Sequence, residues 1–254
     1  MAKKITSGTK EWATYNVNCM NGCFHNCRYC YAKIMAVRFG RHTNRTWRNM
    51  KVNTSSVNKK YQKRNGRIMF PSSHDICDFL QVKKACFAVL AKLLKTGNKV
   101  LITTKPRLTI TKQIIREFEE YKNQIQFRFT ITSMDNSLLS FWEPNAPGYR
   151  ERINSLKYAY SKKFKTSVSI EPFLDNDPTT LVQKVSPFVT ESIWVGKMNY
   201  IPDNHIPGKH RNIYSAIRNN YAVDHLWEIY EKLKRYPKVR FKDSIRIKLG
   251  INGN

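Results

Sequence analysis

Acidic residues are scarce in this chain. Its 254 residues hold 18 Asp and Glu against 45 Lys and Arg, a formal charge of +27, and no carboxylate stands between Glu11 and Asp75. Such an excess favours a polyanionic partner, because dense Lys and Arg neutralise phosphates and release counterions. A lysine-rich composition kept for solubility is the other account of the same sum. Long apolar runs are also missing. Nothing approaches the roughly 18 consecutive apolar residues of a membrane helix, and the opening MAKKITSGTKEW lacks the apolar stretch of a secretory signal. These absences lead to the expectation of a soluble, cytoplasmic protein with no membrane partner. Disorder is excluded by a 41% hydrophobic and 12% aromatic content.

What the chain does have is a crowd of thiols. Of six cysteines, Cys19, Cys23, Cys27 and Cys30 fall within twelve positions. In a reducing compartment such spacing reads as metal ligation, reactivity or packing rather than as a disulfide framework. Residues 13–18 predict a short strand running into this loop, and residues 31–39 a helix leaving it. Residues 41–66 are polar and basic with little apolar periodicity, which predicts an extended loop or insertion.

From residue 67 onward a regular alternation sets in. Strands are predicted at 67–73, 99–105, 126–133, 166–173 and 192–199. Helices are predicted at 82–96, stopped by Gly97, and at about 111–122, 149–163, from Asp177-Pro178, and 222–235. With the strand before the cysteines this makes six strand-helix units. The expected fold is an α/β partial (β/α)6 barrel, TIM-like, with function at the strands' carboxyl ends. No boundary signal divides residues 1–254, so a single domain is expected, carrying a basic insertion at 41–66 and a basic tail at 238–254. In the tail, KVRFKDSIRIKL (238–249) sets Lys238, Arg240 and Lys242, then Arg246 and Lys248, at strand spacing. That pattern suits either a basic binding face or an edge strand guarded by lysines.

Three thiolates at positions 23, 27 and 30 can wrap three corners of a cubane cluster and leave the fourth iron open. A zinc knuckle completed by Cys19 or His25 is the alternative from the same residues. The loop CFHNCRYC, with Tyr29 in the aromatic slot, resembles the signature of the radical SAM superfamily, Cys-x3-Cys-x-aromatic-Cys after the first barrel strand. The resemblance implies a [4Fe–4S] cluster on Cys23, Cys27 and Cys30. Its unique iron would chelate S-adenosylmethionine (SAM), whose reductive cleavage gives a 5′-deoxyadenosyl radical. It also implies an electron donor such as a flavodoxin or ferredoxin.

Other strand ends carry polar residues where that family needs them. PSSHD (71–75) stands where many members have Gly-Gly-Glu, so Ser72, Ser73 and Asp75 are candidate acceptors for the SAM amino group, while His74 is read as a packed histidine or an acid-base group. Lys105 and Ser133 match positions used for the SAM carboxylate and ribose in the spore photoproduct lyase branch. Glu171 is assigned to cofactor or substrate, and Lys197 and Asn199 to the substrate side. The segment 141–152, which contains Glu143, is read as a rigid connector or a pocket wall. The expected substrate is DNA or RNA, in repair or modification. The chain opens near the cluster loop without the long N-terminal region of those lyases, and Cys77 is the nearest candidate for their hydrogen-donating cysteine. A non-catalytic metal-stabilised nucleic-acid-binding protein and a peptide-modifying radical enzyme are the competing readings.

Overall fold

The structure, a computed structural model, describes residues 7–202 and 206–251. Residues 1–6 of the opening segment and 252–254 of the predicted tail lie outside the described residues. Seven parallel strands form one curled sheet in the order β1 (Tyr15–Asn16), β4 (Arg67–Phe70), β5 (Lys99–Thr104), β6 (Ile125–Thr130), β7 (Lys165–Ile170), β8 (Ile193–Val195), β9 (Val239–Phe241). A separate antiparallel pair joins β2 (Met20–Asn21) to β3 (Lys51–Val52). The sheet is a half-barrel, as the alternating pattern predicts, with one strand more than the six expected.

Register explains why its two faces differ. Thr103, Arg128 and Ser167 are cross-strand partners, as are Thr130 and Ser169. Successive side chains on a strand point to opposite faces, so this polar row lies on the concave side while Phe127 and Phe129 turn outward into the apolar core. There Phe127 meets Phe164 edge-on at 5.6 Å between ring centroids. Arg128 is buried, donates from Nε to Ser167 Oγ at 3.1 Å, and lies 4.5 Å over the Trp12 ring. The barrel interior is therefore polar, which suits a polar ligand.

Helices cover the convex side. They are α1 (Tyr31–Arg38), α2 (Thr54–Asn58), α3 (Leu80–Lys95), α4 (Leu108–Glu117), α5 (Asn136–Trp142), α6 (Tyr149–Ser161), α7 (Thr179–Val185), α8 (Arg211–Asn219), α9 (Val223–Leu233) and α10 (Asp243–Leu249). In α3 the apolar residues recur at helical spacing, and Val82, Cys86, Val89, Leu90 and Leu93 are wholly buried.

Two expectations need correction. The tail is not one alternating strand. After β9 the chain turns at Lys242 into α10, which starts on Asp243 and buries Ile245 and Leu249. Lys242 and Arg246 turn inward, and Glu11 pairs with both. Their charge is spent inside the molecule, so the tail is not an uninterrupted basic face. The insertion at 41–66 is likewise structured in part. It holds β3 and α2, the latter capped by Asn53 Oδ1 accepting from Ser56 N at 3.1 Å, and it packs Trp47 against the cysteine loop.

The first described residues reach across the open side of the half-barrel. Gly8 N donates to Asp243 Oδ2 at 3.0 Å, Lys242 Nζ donates to Gly8 O at 2.8 Å, and Asn16 Nδ2 of β1 donates to Thr9 Oγ1 at 2.9 Å. The two ends of the sheet are thus tied through residues 8–11.

Candidate active site

The cysteine loop hangs from β1 and is braced from two sides. Cys23 N donates to Trp47 O of the insertion at 2.9 Å. Gly22, at φ 88°, allows that approach: a Cβ there would sit 2.6 Å from the same carbonyl. From the other side Arg28 N donates to Trp142 O at 2.8 Å and Asn145 Nδ2 donates to Phe24 O at 3.0 Å, while the Arg28 guanidinium lies 4.4 Å over the Phe141 ring. The 141–152 segment is therefore a brace for the loop. Within the loop Asn26 takes a left-handed φ of 48°, and Cys30 immediately precedes α1.

Cys23, Cys27 and Cys30 all line one cavity of about 500 Å³. Burial pushes the three thiols above their ordinary range, Cys27 to about 12. Thiolates here need a bound cation to compensate them. Their sulfurs do not gather within 4.8 Å of one another, a spacing that among the described residues one other trio reaches. This donor set suits a multi-iron cluster better than a single zinc ion, whose sulfurs would stand about 3.8 Å apart for bonds near 2.3 Å. Of the candidate fourth zinc ligands Cys19 is lost, whereas the Asp75 contact engages only Nδ1 of His25. Cys19 turns away to Cys86 and His74, and His25 Nδ1 lies 3.3 Å from Asp75 Oδ2.

Other strand ends bring most of the expected residues to the same cavity: Tyr29, Ser72, Ser73, His74, Asp75, Lys105, Glu171, Lys197 and Asn199. Ser72 and Ser73 are fixed by their amides, which donate to Asn18 Oδ1 at 2.7 and 2.9 Å. Asp75 is heavily engaged. Its carboxylate accepts from Ile76 N at 2.7 Å, Thr104 Oγ1 at 2.5 Å and Lys105 N at 2.8 Å. Burial alone would raise its pKa, but His25, Thr104 and the Lys105 amide outweigh burial and hold it at about 2. Asp75 thereby positions His25 inside the cysteine loop.

Two expected residues stay outside this cavity. Ser133 is wholly buried, donates to Asp175 Oδ1 and accepts from Asp135 N at 2.8 Å. Its hydroxyl is committed to the turn after β6, so the ribose role assigned to it loses its geometric basis. Thr130 and Ser169 are the hydroxyl-bearing residues that β6 and β7 present to the cavity. Cys77 packs in the apolar core, where burial raises its thiol well above the ordinary value. It is not placed to face a substrate.

Glu143 is the residue that sequence reasoning undervalued. Fully buried, it accepts from the Tyr29 hydroxyl, from Thr132 Oγ1 at 2.9 Å and from Arg152, and Lys105 Nζ stands 4.0 Å away. Burial opposes its charge, but Arg152, Lys105 and Tyr29 prevail and keep its carboxyl below the ordinary range. The aromatic slot of the cysteine motif is thus a hydrogen-bond donor locked onto a carboxylate from α5's end. Lys105 also lies 5.6 Å from the Tyr29 ring and keeps its cavity face. Glu171 is different: among the described residues no hydrogen bond or ion pair fixes its carboxylate, and burial raises it to about 7, with Lys242 opposing.

A half-barrel with three loop thiols at its carboxyl rim and a polar interior suits an iron–sulfur cluster and a small polar ligand. The chain belongs to the radical SAM superfamily, whose sequence profile matches residues 17–177. Its fold is that of spore photoproduct lyase. The structure of a variant with bound AdoMet and dinucleoside spore photoproduct superposes with a TM-score of 0.58 at 13% identity, covering 94% of this chain and 78% of that one. The same lyase complexed with dinucleoside spore photoproduct gives 0.57 at 12%, with the same coverage. Among sequences, an uncharacterized protein of Acidianus two-tailed virus is 27% identical over 68% of this chain and 58% of its own length. One from Methanocaldococcus jannaschii is 27% identical over 74% of this chain and 72% of its own. This chain therefore spans less than two thirds of the viral relative. No helix among the described residues is long and apolar enough to cross a membrane.

Proposed function

We propose that this radical SAM enzyme holds a [4Fe–4S] cluster on Cys23, Cys27 and Cys30, binds SAM in the adjoining cavity and acts on a nucleic acid, in repair or modification, in the cytoplasm. The observation that carries this reading is the meeting of three cysteines outside any disulfide, Lys105, and a Glu171 without an ion pair among the described residues, in one cavity at the strands' carboxyl ends. Reductive cleavage of SAM to a 5′-deoxyadenosyl radical is the chemistry supplied when both groups are bound, with a flavodoxin or ferredoxin as electron donor. The chain's own part is to hold and orient. Lys105 supplies a fixed cation for the SAM carboxylate, its charge favoured by Cys27 and Glu143 against burial. Ser72 and Ser73 offer acceptors near the amino group, and Asp75 acts through His25. Glu171 is the acid-base group on the substrate side.

The nucleic-acid reading is supported by the +27 charge and by the dinucleoside photoproduct bound in the lyase of similar fold. Anaerobic reconstitution with iron and sulfide, followed by reduction and addition of SAM, should yield 5′-deoxyadenosine. Across DNA, RNA and peptide fractions, a DNA or RNA fraction should raise that yield, and its binding should weaken steeply with salt. A fully loaded cluster that gives no deoxyadenosine overturns the cluster and SAM assignments; stimulation by peptides alone overturns the substrate class.

A further inference from the structure

Behind the cysteine loop lies a second cluster of soft ligands that the cavity chemistry does not use. Cys19, between β1 and β2, and Cys86, on α3, are both 0% exposed, and their sulfurs meet at 3.6 Å. His74, in the loop after β4, brings Nε2 to 4.0 Å from the Cys19 sulfur. All three ligand atoms lie within 4.8 Å of one another. Buried thiols and a histidine gathered from three separate elements are not explained by apolar packing, which asks nothing of their polar ends.

The histidine is already in the ligating tautomer. The Cys19 amide donates to Nε2 at 3.1 Å, so that nitrogen carries the lone pair, which a metal ion would take over from the amide. Nδ1 faces the Asp75 carbonyl at 3.2 Å and holds the proton. A metal-binding imidazole is commonly fixed this way, with its second nitrogen bonded to a backbone carbonyl. Spacing also agrees: tetrahedral bonds of about 2.3 Å to sulfur and about 2.0 Å to nitrogen put neighbouring ligand atoms roughly 3.5–3.8 Å apart.

We infer that Cys19, His74 and Cys86 form a second metal site, separate from the cluster, for a thiophilic d10 cation. Zn²⁺ would be neutralised by both thiolates, and Cu⁺ by one with the other sulfur protonated; burial demands neutrality in either case. Its position suits an anchor. Cys19 lies four residues before Cys23, and His74 adjoins Asp75, which orients His25. A bound ion would pin the root of the cysteine loop to the β4 loop and to α3.

The test uses cluster-loaded protein given Zn²⁺, or Cu⁺ in a parallel anaerobic arm, then freed of loose metal and analysed for all elements. About one zinc or copper per chain beyond the iron is expected, with an absorption-edge spectrum showing sulfur and nitrogen neighbours. Substituting Cys23, Cys27 and Cys30 together by Ala should remove iron and spare the second metal. Cys86→Ala or His74→Gln should do the reverse. No stoichiometric second metal in the wild-type protein, its retention in Cys86→Ala, or a Cys19–Cys86 disulfide in non-reducing peptide maps overturns the site. The wild-type count decides even if a variant does not fold, and it is independent of SAM turnover.

Discussion

Replacing Glu171 by Gln should make the protein more stable at alkaline pH while harming its function. The carboxyl rises from an ordinary 4.5 to about 7 in the folded chain, chiefly by burial. A raised carboxyl is protonated in both states below pH 4.5 and contributes nothing there. Between 4.5 and 7 the unfolded chain ionises first, and above 7 the folded state carries a buried charge that Lys242 offsets only in part. The linkage amounts to about 3–4 kcal/mol at most, from roughly 1.4 kcal/mol per pKa unit. For a chain of this length that corresponds to a melting shift of about 5–10 °C. The measurement is urea and thermal unfolding of wild type and Glu171→Gln in the cluster-free form at pH 5 and pH 8.5, so that cluster loss does not enter the transition. The variant should exceed wild type only slightly at pH 5 and by the full amount at pH 8.5. An equal gain at both pH values, or none at 8.5, refutes the claim that Glu171 is held unpaired at the cavity. The stored cost is what a functional group of this kind requires.

Cys27→Ala should abolish both the brown colour and SAM cleavage, whereas Cys19→Ala should keep iron, read by absorbance and iron content after anaerobic reconstitution. Lys105→Ala should weaken SAM binding about tenfold or more, the size of one lost charge-assisted contact; calorimetric titration returning the wild-type affinity removes it from the site. Arg152→Met should cost about 3–5 kcal/mol in urea unfolding, because it strands the Glu143 charge in the interior. Arg152→Met with Glu143→Gln should recover part of that loss.

Much of this architecture was legible from period and punctuation. The runs read as strands at 99–105, 126–133 and 166–173 hold β5, β6 and β7 to within a few residues at their ends, and the α3 stripe stopped at Gly97 read as a helix. The cysteine motif was legible because its spacing is local. Ser133 was misjudged because position at a strand end does not reveal direction, and its hydroxyl had a nearer partner in Asp175, 42 residues away. Glu143 was undervalued for the same reason: its partners Tyr29 and Lys105 come from other units, and nothing adjacent in sequence announces them. The tail misled because Lys242 and Arg246 match a strand's alternation, while Glu11, the residue that draws them inward, sits at the opposite end of the chain.

The tie between residues 8–11 and the tail bears on how this molecule can associate. An open sheet normally offers its outer strands as templates for another chain. Here β1 has two residues and β9 three, and both lie beside the Gly8–Glu11 crossing. Growth by strand addition, whether into dimers or aggregates, has almost no ladder to start from. What stays exposed beside the cavity is its rim above the strands' carboxyl ends, where Tyr31 and Tyr200 are each 44% exposed.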